Sequence, residues 1–194
     1  MSSFALVVID MQEGFLAELS GEDRRGVVLH TAALLSWCSD NGVPVVQVIT
    51  RHAADGSTWD RRMLATGRAI PLEDSPECDQ PEEVAATPRD IVMAKTRMSA
   101  FYGTELEWEL VRLGVSSVIV CGLYAHEAVL STAIDAYQRD FRVAIPADCV
   151  ASPDPEDARA ALRQLGRTVA EIVDRGDLDG IAATGDEAGP YFLP

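Results

Sequence analysis

Basic side chains are the first shortage: 16 Lys and Arg stand against 31 Asp and Glu in 194 residues, a formal charge of −15 at pH 7. A protein that binds duplex nucleic acid needs a basic footprint to displace condensed counterions, and an anionic membrane surface makes the same demand. Neither partner is expected here. A small anionic substrate remains compatible, provided a few cations converge locally against the global field. Histidine is scarcer still. His30, His52 and His126 form no HxH or HExxH pattern, so no metal site is expected. Cys38, Cys78, Cys121 and Cys149 lie far apart with no CxxC, which argues against both a zinc site and a disulfide framework. No apolar run reaches the ~18–20 residues that span a bilayer. The N-terminal MSSFALVVIDMQ has no basic stretch ahead of its apolar run, so a cleaved signal is not expected. The expected location is the cytoplasm.

What remains is ordinary for a folded protein: 47% hydrophobic and 24% charged residues, read as a single domain over 1–194. Four short, β-branched apolar runs stand out at Phe4–Ile9, Val45–Ile49, Ser117–Cys121 and Arg142–Pro146, with a shorter fifth at Asp90–Ala94. Their apolar positions are consecutive rather than alternating, as in strands buried on both faces of a parallel sheet. Helical patterns lie between them. Arg24–Cys38 ends at Asn41-Gly42; Thr104–Leu113 offers Leu106, Trp108, Leu110 and Leu113 for burial before Gly114; Ala125–Arg139 and Pro155–Leu165 follow. Alternating strands and helices predict a doubly wound α/β fold with helices on both faces of a parallel sheet. Ala53–Thr87 has no periodicity and is read as an excursion covering the site, and Gly176–Pro194 as a tail on the surface or against a partner subunit.

In such sheets ligands bind beyond the carboxyl ends of the strands, so the residues just after each run are the candidates. Asp10 ends the first run; a carboxylate there loses part of its water and becomes a candidate general acid or base, or else caps the following turn. Lys95 follows the fifth run and can meet Asp10 if the two strands are neighbours, or form an ion pair at the sheet rim. Arg97 is a second cation or a surface residue. Gly122 permits a sharp turn into a helix whose first N–H groups can bind an anion or oxyanion. No GxGxxG accompanies it, so no dinucleotide site is supported, and no cofactor is expected.

Taken together, Phe4–Phe15 (FALVVIDMQEGF), Lys95–Thr104 (KTRMSAFYGT), Gly122–Ala136 (GLYAHEAVLSTAIDA) and Ala147-Asp148 resemble the isochorismatase-like hydrolase superfamily in order and spacing. The resemblance implies a six-stranded parallel sheet in an α/β/α sandwich, homodimers or higher homo-oligomers, and a non-proline cis peptide near Leu123–Tyr124. Most members are cysteine hydrolases whose triad is an Asp, a Lys and a Cys six residues past the glycine. Asp10 and Lys95 match; the third position is Ala128, which carries no nucleophile. The sequence therefore looks like the branch that lacks this cysteine, the hydrolases of isochorismate and 2-amino-2-deoxyisochorismate.

That branch cleaves an enolpyruvyl vinyl ether without a covalent intermediate, and the resemblance assigns Asp10 as general acid with Lys95 beside it. Substrate-binding roles fall by the same resemblance on His52, Arg61 (or Arg62), Tyr124, Ala125 and Ala128, with Phe15, Trp59 and Gly122 around them. Two positions depart from the branch: His52 replaces a glutamine, and Glu127 puts a carboxylate into a turn that is apolar there. The alternatives are a cysteine-less hydrolase of another small acid or amide, and a non-catalytic binding member.

Overall fold

Six consecutive apolar residues can all be buried only if both faces of their strand are covered, and strand β1 (Phe4–Ile9) is buried at every position. So are β2 (Val45–Thr50) and β4 (Ser117–Leu123). The computed structural model describes residues 4–174 and Gly176; nearly all of the Gly176–Pro194 tail lies outside the described residues. The remaining strands are β3 (Ile91–Lys95), β5 (Arg142–Pro146), the two-residue β6 (Val150–Ala151) and β7 (Glu171–Val173). Their order is β3-β2-β1-β4-β5-β7, with β6 paired to the end of β4, and every pairing is parallel. Six strands thus form the continuous sheet, and β6 makes a seventh. Because β3 lies at an edge, its burial alternates and Val92 is half exposed, unlike the fully buried run its composition suggests.

Side-chain alternation sends Leu6 and Val8 to one face and Ala5, Val7 and Ile9 to the other. The first face packs on helix α2 (Gly21–Asn41) through Val27, Leu34 and Cys38. Ser20 starts α2 by accepting from Asp23 N, and Gly42, at φ +65°, closes it. The second face is covered by α4 (Leu106–Leu113), α5 (Leu130–Tyr137) and α6 (Pro155–Thr168). Leu106 and Leu110 of α4 face the sheet, whereas Trp108, two residues from either, is 61% exposed and does not join the core. The run Ala125–Arg139 is not one α-helix. A π-helical turn, Ala125–Val129, precedes α5. Two short helices remain, α1 (Glu13–Leu16) after β1 and α3 (Arg61–Thr66) within the 53–87 excursion.

The sheet order reverses between β1 and β4, where successive connections leave in opposite directions and open a crevice beyond the strand ends. Ile9 pairs with Gly122 across this point. Gly122 has φ +113°, and a Cβ there would stand 1.9 Å from the Ile9 carbonyl oxygen, so backbone contact itself demands glycine. The Leu123–Tyr124 peptide is cis.

Candidate active site

Three strands deliver one polar cluster to this crevice. Asp10 leaves β1 at φ 53°, an uncommon conformation for a side-chain-bearing residue, and is 2% exposed. Lys95, 4% exposed, ends β3. The two strands are not neighbours: β2 separates β1 from β3, and two strand spacings amount to about 10 Å. The lysine stem and a residue missing from the predicted site close that gap. Lys95 Nζ donates to Asp10 Oδ2 at 2.6 Å and to Thr50 Oγ1 at 2.7 Å, and the Thr50 hydroxyl in turn donates to Asp10 Oδ1 at 2.8 Å. Gln12 fixes the β1–β2 junction: its amide nitrogen donates to Thr50 O, and its Oε1 accepts from Thr50 N.

Burial raises the Asp10 pKa above its ordinary value of 3.8, with Lys95 and the Thr50 hydrogen bonds opposing that shift without cancelling it. The neighbouring His52 is 1% exposed, and its Nδ1 has no hydrogen-bond partner. Burial first, then Lys95 and Arg97, push its pKa below 6.5, so the imidazole is neutral at pH 7. Its backbone is held by two bonds to the excursion, His52 N to Pro71 O and Glu73 N to His52 O.

A cavity of about 650 Å³ opens over this cluster. Of the predicted residues, Asp10, Lys95, His52, Phe15, Tyr124 and Ala128 line it. Phe15 meets Tyr124 edge-on at 5.5 Å, and the Tyr124 hydroxyl lies 3.0 Å from Phe15 O and 3.2 Å from Glu18 Oε2. Burial, then the Glu18 carboxylate, then lesser contributions from Glu127 and Asp10, keep that phenol protonated well above its usual range. Four predicted residues do not reach the cavity surface. Gly122 and Ala125 are packed into the wall behind it. Trp59 turns its Nε1–H to Ala53 O, folding back on its own loop. Arg61 begins α3, and it is Arg62, about 100° further round the helix, that lines the cavity.

Thr50, Glu18, Asp60 and Arg68 line the cavity without having been singled out for the site, and Arg62, Arg97 and Glu127, named above only as an alternative, a second cation and a departure, join them. Arg97 is the most firmly placed of the cations, its Nη1 donating to Thr58 O and Thr96 O at 2.8 and 2.6 Å. The TRH and KTR segments after β2 and β3 were the available signal for Thr50 and Arg97, since both sit at strand ends. No cysteine lines the cavity among the described residues. Cys121 lies inside β4 among Cys38 and Cys149 on the far face, where burial holds its thiol well above the usual range. Among these residues no three His, Cys, Asp or Glu come together as metal ligands.

Comparison with known proteins agrees with this geometry. The Isochorismatase domain profile matches residues 4–177. The chain is 31% identical to phenazine biosynthesis protein PhzD1 of Pseudomonas aeruginosa, over 87% of this chain and 81% of that one. It is 30% identical to enterobactin synthase component B of Escherichia coli, over 87% of this chain and 60% of that one. The crystal structure of an isochorismatase family protein from Desulfovibrio vulgaris superposes with a TM-score of 0.86 at 28% identity, covering 94% of this chain and all of that one. A buried Asp–Thr–Lys cluster at the switch point of a parallel sheet, with these relatives, places the chain in the isochorismatase family of hydrolases.

Proposed function

We propose that this chain hydrolyses the enolpyruvyl vinyl ether of isochorismate or 2-amino-2-deoxyisochorismate, releasing pyruvate and a dihydroaromatic acid. The observation that carries the reading is a buried carboxyl group facing a cavity in which Ala128 stands where an acyl-transferring hydrolase needs its thiol. Amide hydrolysis by that route requires a nucleophile; vinyl-ether cleavage requires only an acid.

In this mechanism the Asp10 carboxyl proton passes to the terminal methylene carbon, which becomes a methyl group and leaves an oxocarbenium ion. Water adds to the ether-bearing carbon of that cation and returns a proton to the Asp10 carboxylate. The hemiketal then collapses: its hydroxyl gives up a proton, the ether C–O bond breaks, the ring oxygen takes that proton, and pyruvate departs. Thr50 and Lys95 hold both Asp10 oxygens, so the acid is oriented before substrate arrives. Burial keeps the proton available, as the raised pKa requires. Arg97 and Arg62 supply positive charge for the substrate carboxylates.

The test is pyruvate release from either substrate, coupled to NADH oxidation by lactate dehydrogenase. Asp10→Asn is expected to cut kcat by roughly 10²–10⁴-fold while still binding substrate. For the wild type, kcat/KM should fall as pH rises through the raised Asp10 pKa, because only the protonated form is active; the variant should lack this limb. A carboxyl whose pKa is raised by folding supports the fold fully below 3.8, and that support is lost as pH climbs through its folded value. Near-wild-type turnover by the variant, or no pyruvate from either substrate, overturns the proposal.

A further inference from the structure

Four carboxylates line the cavity, and three are already answered by protein groups. Asp10 has Lys95 and Thr50. Glu18 has the Tyr124 hydroxyl at 3.2 Å and Arg68 at 3.8 Å. Asp60 caps α3, accepting from Met63 N at 2.8 Å. Glu127 differs. Among the described residues its carboxylate accepts no hydrogen bond, and its nearest cationic candidate is His126 Nε2 at 3.9 Å, in a ring anchored through Nδ1 at 2.8 Å from Ser152 Oγ. Its side chain is about one-third exposed, so water now compensates its charge.

Substrate entering the cavity displaces that water. A ring bearing only carboxylates and hydroxyls would leave Glu127 with weaker compensation and bring like charge close to it. A ring bearing a protonated amine would pair with it. The cations are distributed to suit such a zwitterion, since Arg97 and Arg62 form no ion pair with any carboxylate among the described residues and stand ready for the acid groups.

We propose that Glu127 is a specificity residue that recognises a cationic nitrogen on the substrate, making the cavity selective for an amino-substituted ring acid over its hydroxy counterpart. For the bond that breaks, this rests on the vinyl-ether reading above; for the recognition, it rests on Glu127 alone.

The experiment compares kcat/KM for 2-amino-2-deoxyisochorismate and isochorismate in the wild type, Glu127→Gln and Glu127→Val. The wild type is expected to prefer the amino substrate. Both variants should reduce the amino-to-hydroxy ratio by about three- to fivefold, mainly through KM, as loss of one partly exposed ion pair implies. An unchanged ratio, or an equal fall for both substrates, overturns the proposal while leaving the vinyl-ether reading intact. A second measurement does not depend on turnover. Calorimetric binding of trans-2-aminocyclohexanecarboxylate and trans-2-hydroxycyclohexanecarboxylate should favour the amine by about three- to fivefold in the wild type and by little in Glu127→Gln. If neither natural substrate yields pyruvate, the vinyl-ether reading fails, and this pair decides the Glu127 proposal separately. Equal binding of the two acids by the wild type sinks it.

Discussion

At the strand ends, Asp10, Thr50 and Lys95 are nearly inaccessible to solvent and joined by hydrogen bonds of 2.6–2.8 Å. Across the cavity, residues 60–70 present Asp60 and Arg62 from the start of a short helix in which no side chain is buried, and Arg68 from just past its end. The first region is held by β-sheet pairing and a filled core, so its geometry cannot drift without disrupting the sheet. The second is held by the Asp60 cap, the Arg68–Glu18 ion pair and, just beyond it, the backbone bonds of Pro71 and Glu73 to His52. Such a division suits the proposed reaction, in which the acid must be fixed to a fraction of an ångström while the cover admits and releases a charged ligand.

The comparison can be broken most severely at the floor. Gly122→Ala would drive a Cβ into the Ile9 carbonyl at the β1–β4 junction, so a loss of about 4 kcal/mol or more is expected, read as collapse of the urea midpoint. A substitution at Gly67, equally left-handed at φ +67° but with open space around it, should cost only about 1 kcal/mol on the cover. Next in size comes the boundary between the regions. Arg97→Ala should raise KM for the pyruvate-releasing substrate roughly tenfold with kcat little changed, because the guanidinium binds charge that is present equally in the ground and transition states. Arg62→Ala, on the exposed helix, should raise KM by only about threefold. Equal effects at the two positions would erase the distinction drawn between them.

The smallest effect concerns His52, which belongs to both regions. A histidine whose pKa is lowered by folding stabilises the protein above its ordinary value of 6.5, and this contribution is lost as pH falls through the folded value. His52→Gln should therefore lose less stability than wild type between about pH 7.5 and pH 5 in paired urea titrations. A wild-type protein equally stable at both values would show that His52 protonates freely and is not held by the floor.

Much of the floor was legible in the chain. Uninterrupted apolar runs identified β1, β2, β4 and β5, because strands covered on both faces need no polar alternation. Asp10 and Lys95 stood out because a charge directly after such a run must meet either solvent or a partner. The cover was harder to read. Arg61 and Arg62 are chemically alike neighbours, and only the rotation of α3 separates the one beside the cavity from the one that leads to it. Trp59 looked like a wall residue by proximity and is instead committed to its own loop.

Composition and pattern alone determined a parallel α/β sheet, its acidic surface and a carboxylate and an ammonium at its strand ends, since each follows from which residues must leave water. Strand order decided the rest. Placing β2 between β1 and β3 made Thr50 the link between acid and lysine, and the packing of the π-helical turn put Glu127 beside an alanine on the cavity wall. Such contacts join residues 40 and 85 positions apart. They arise from the balance of burial over the whole sheet, which no local stretch of sequence encodes.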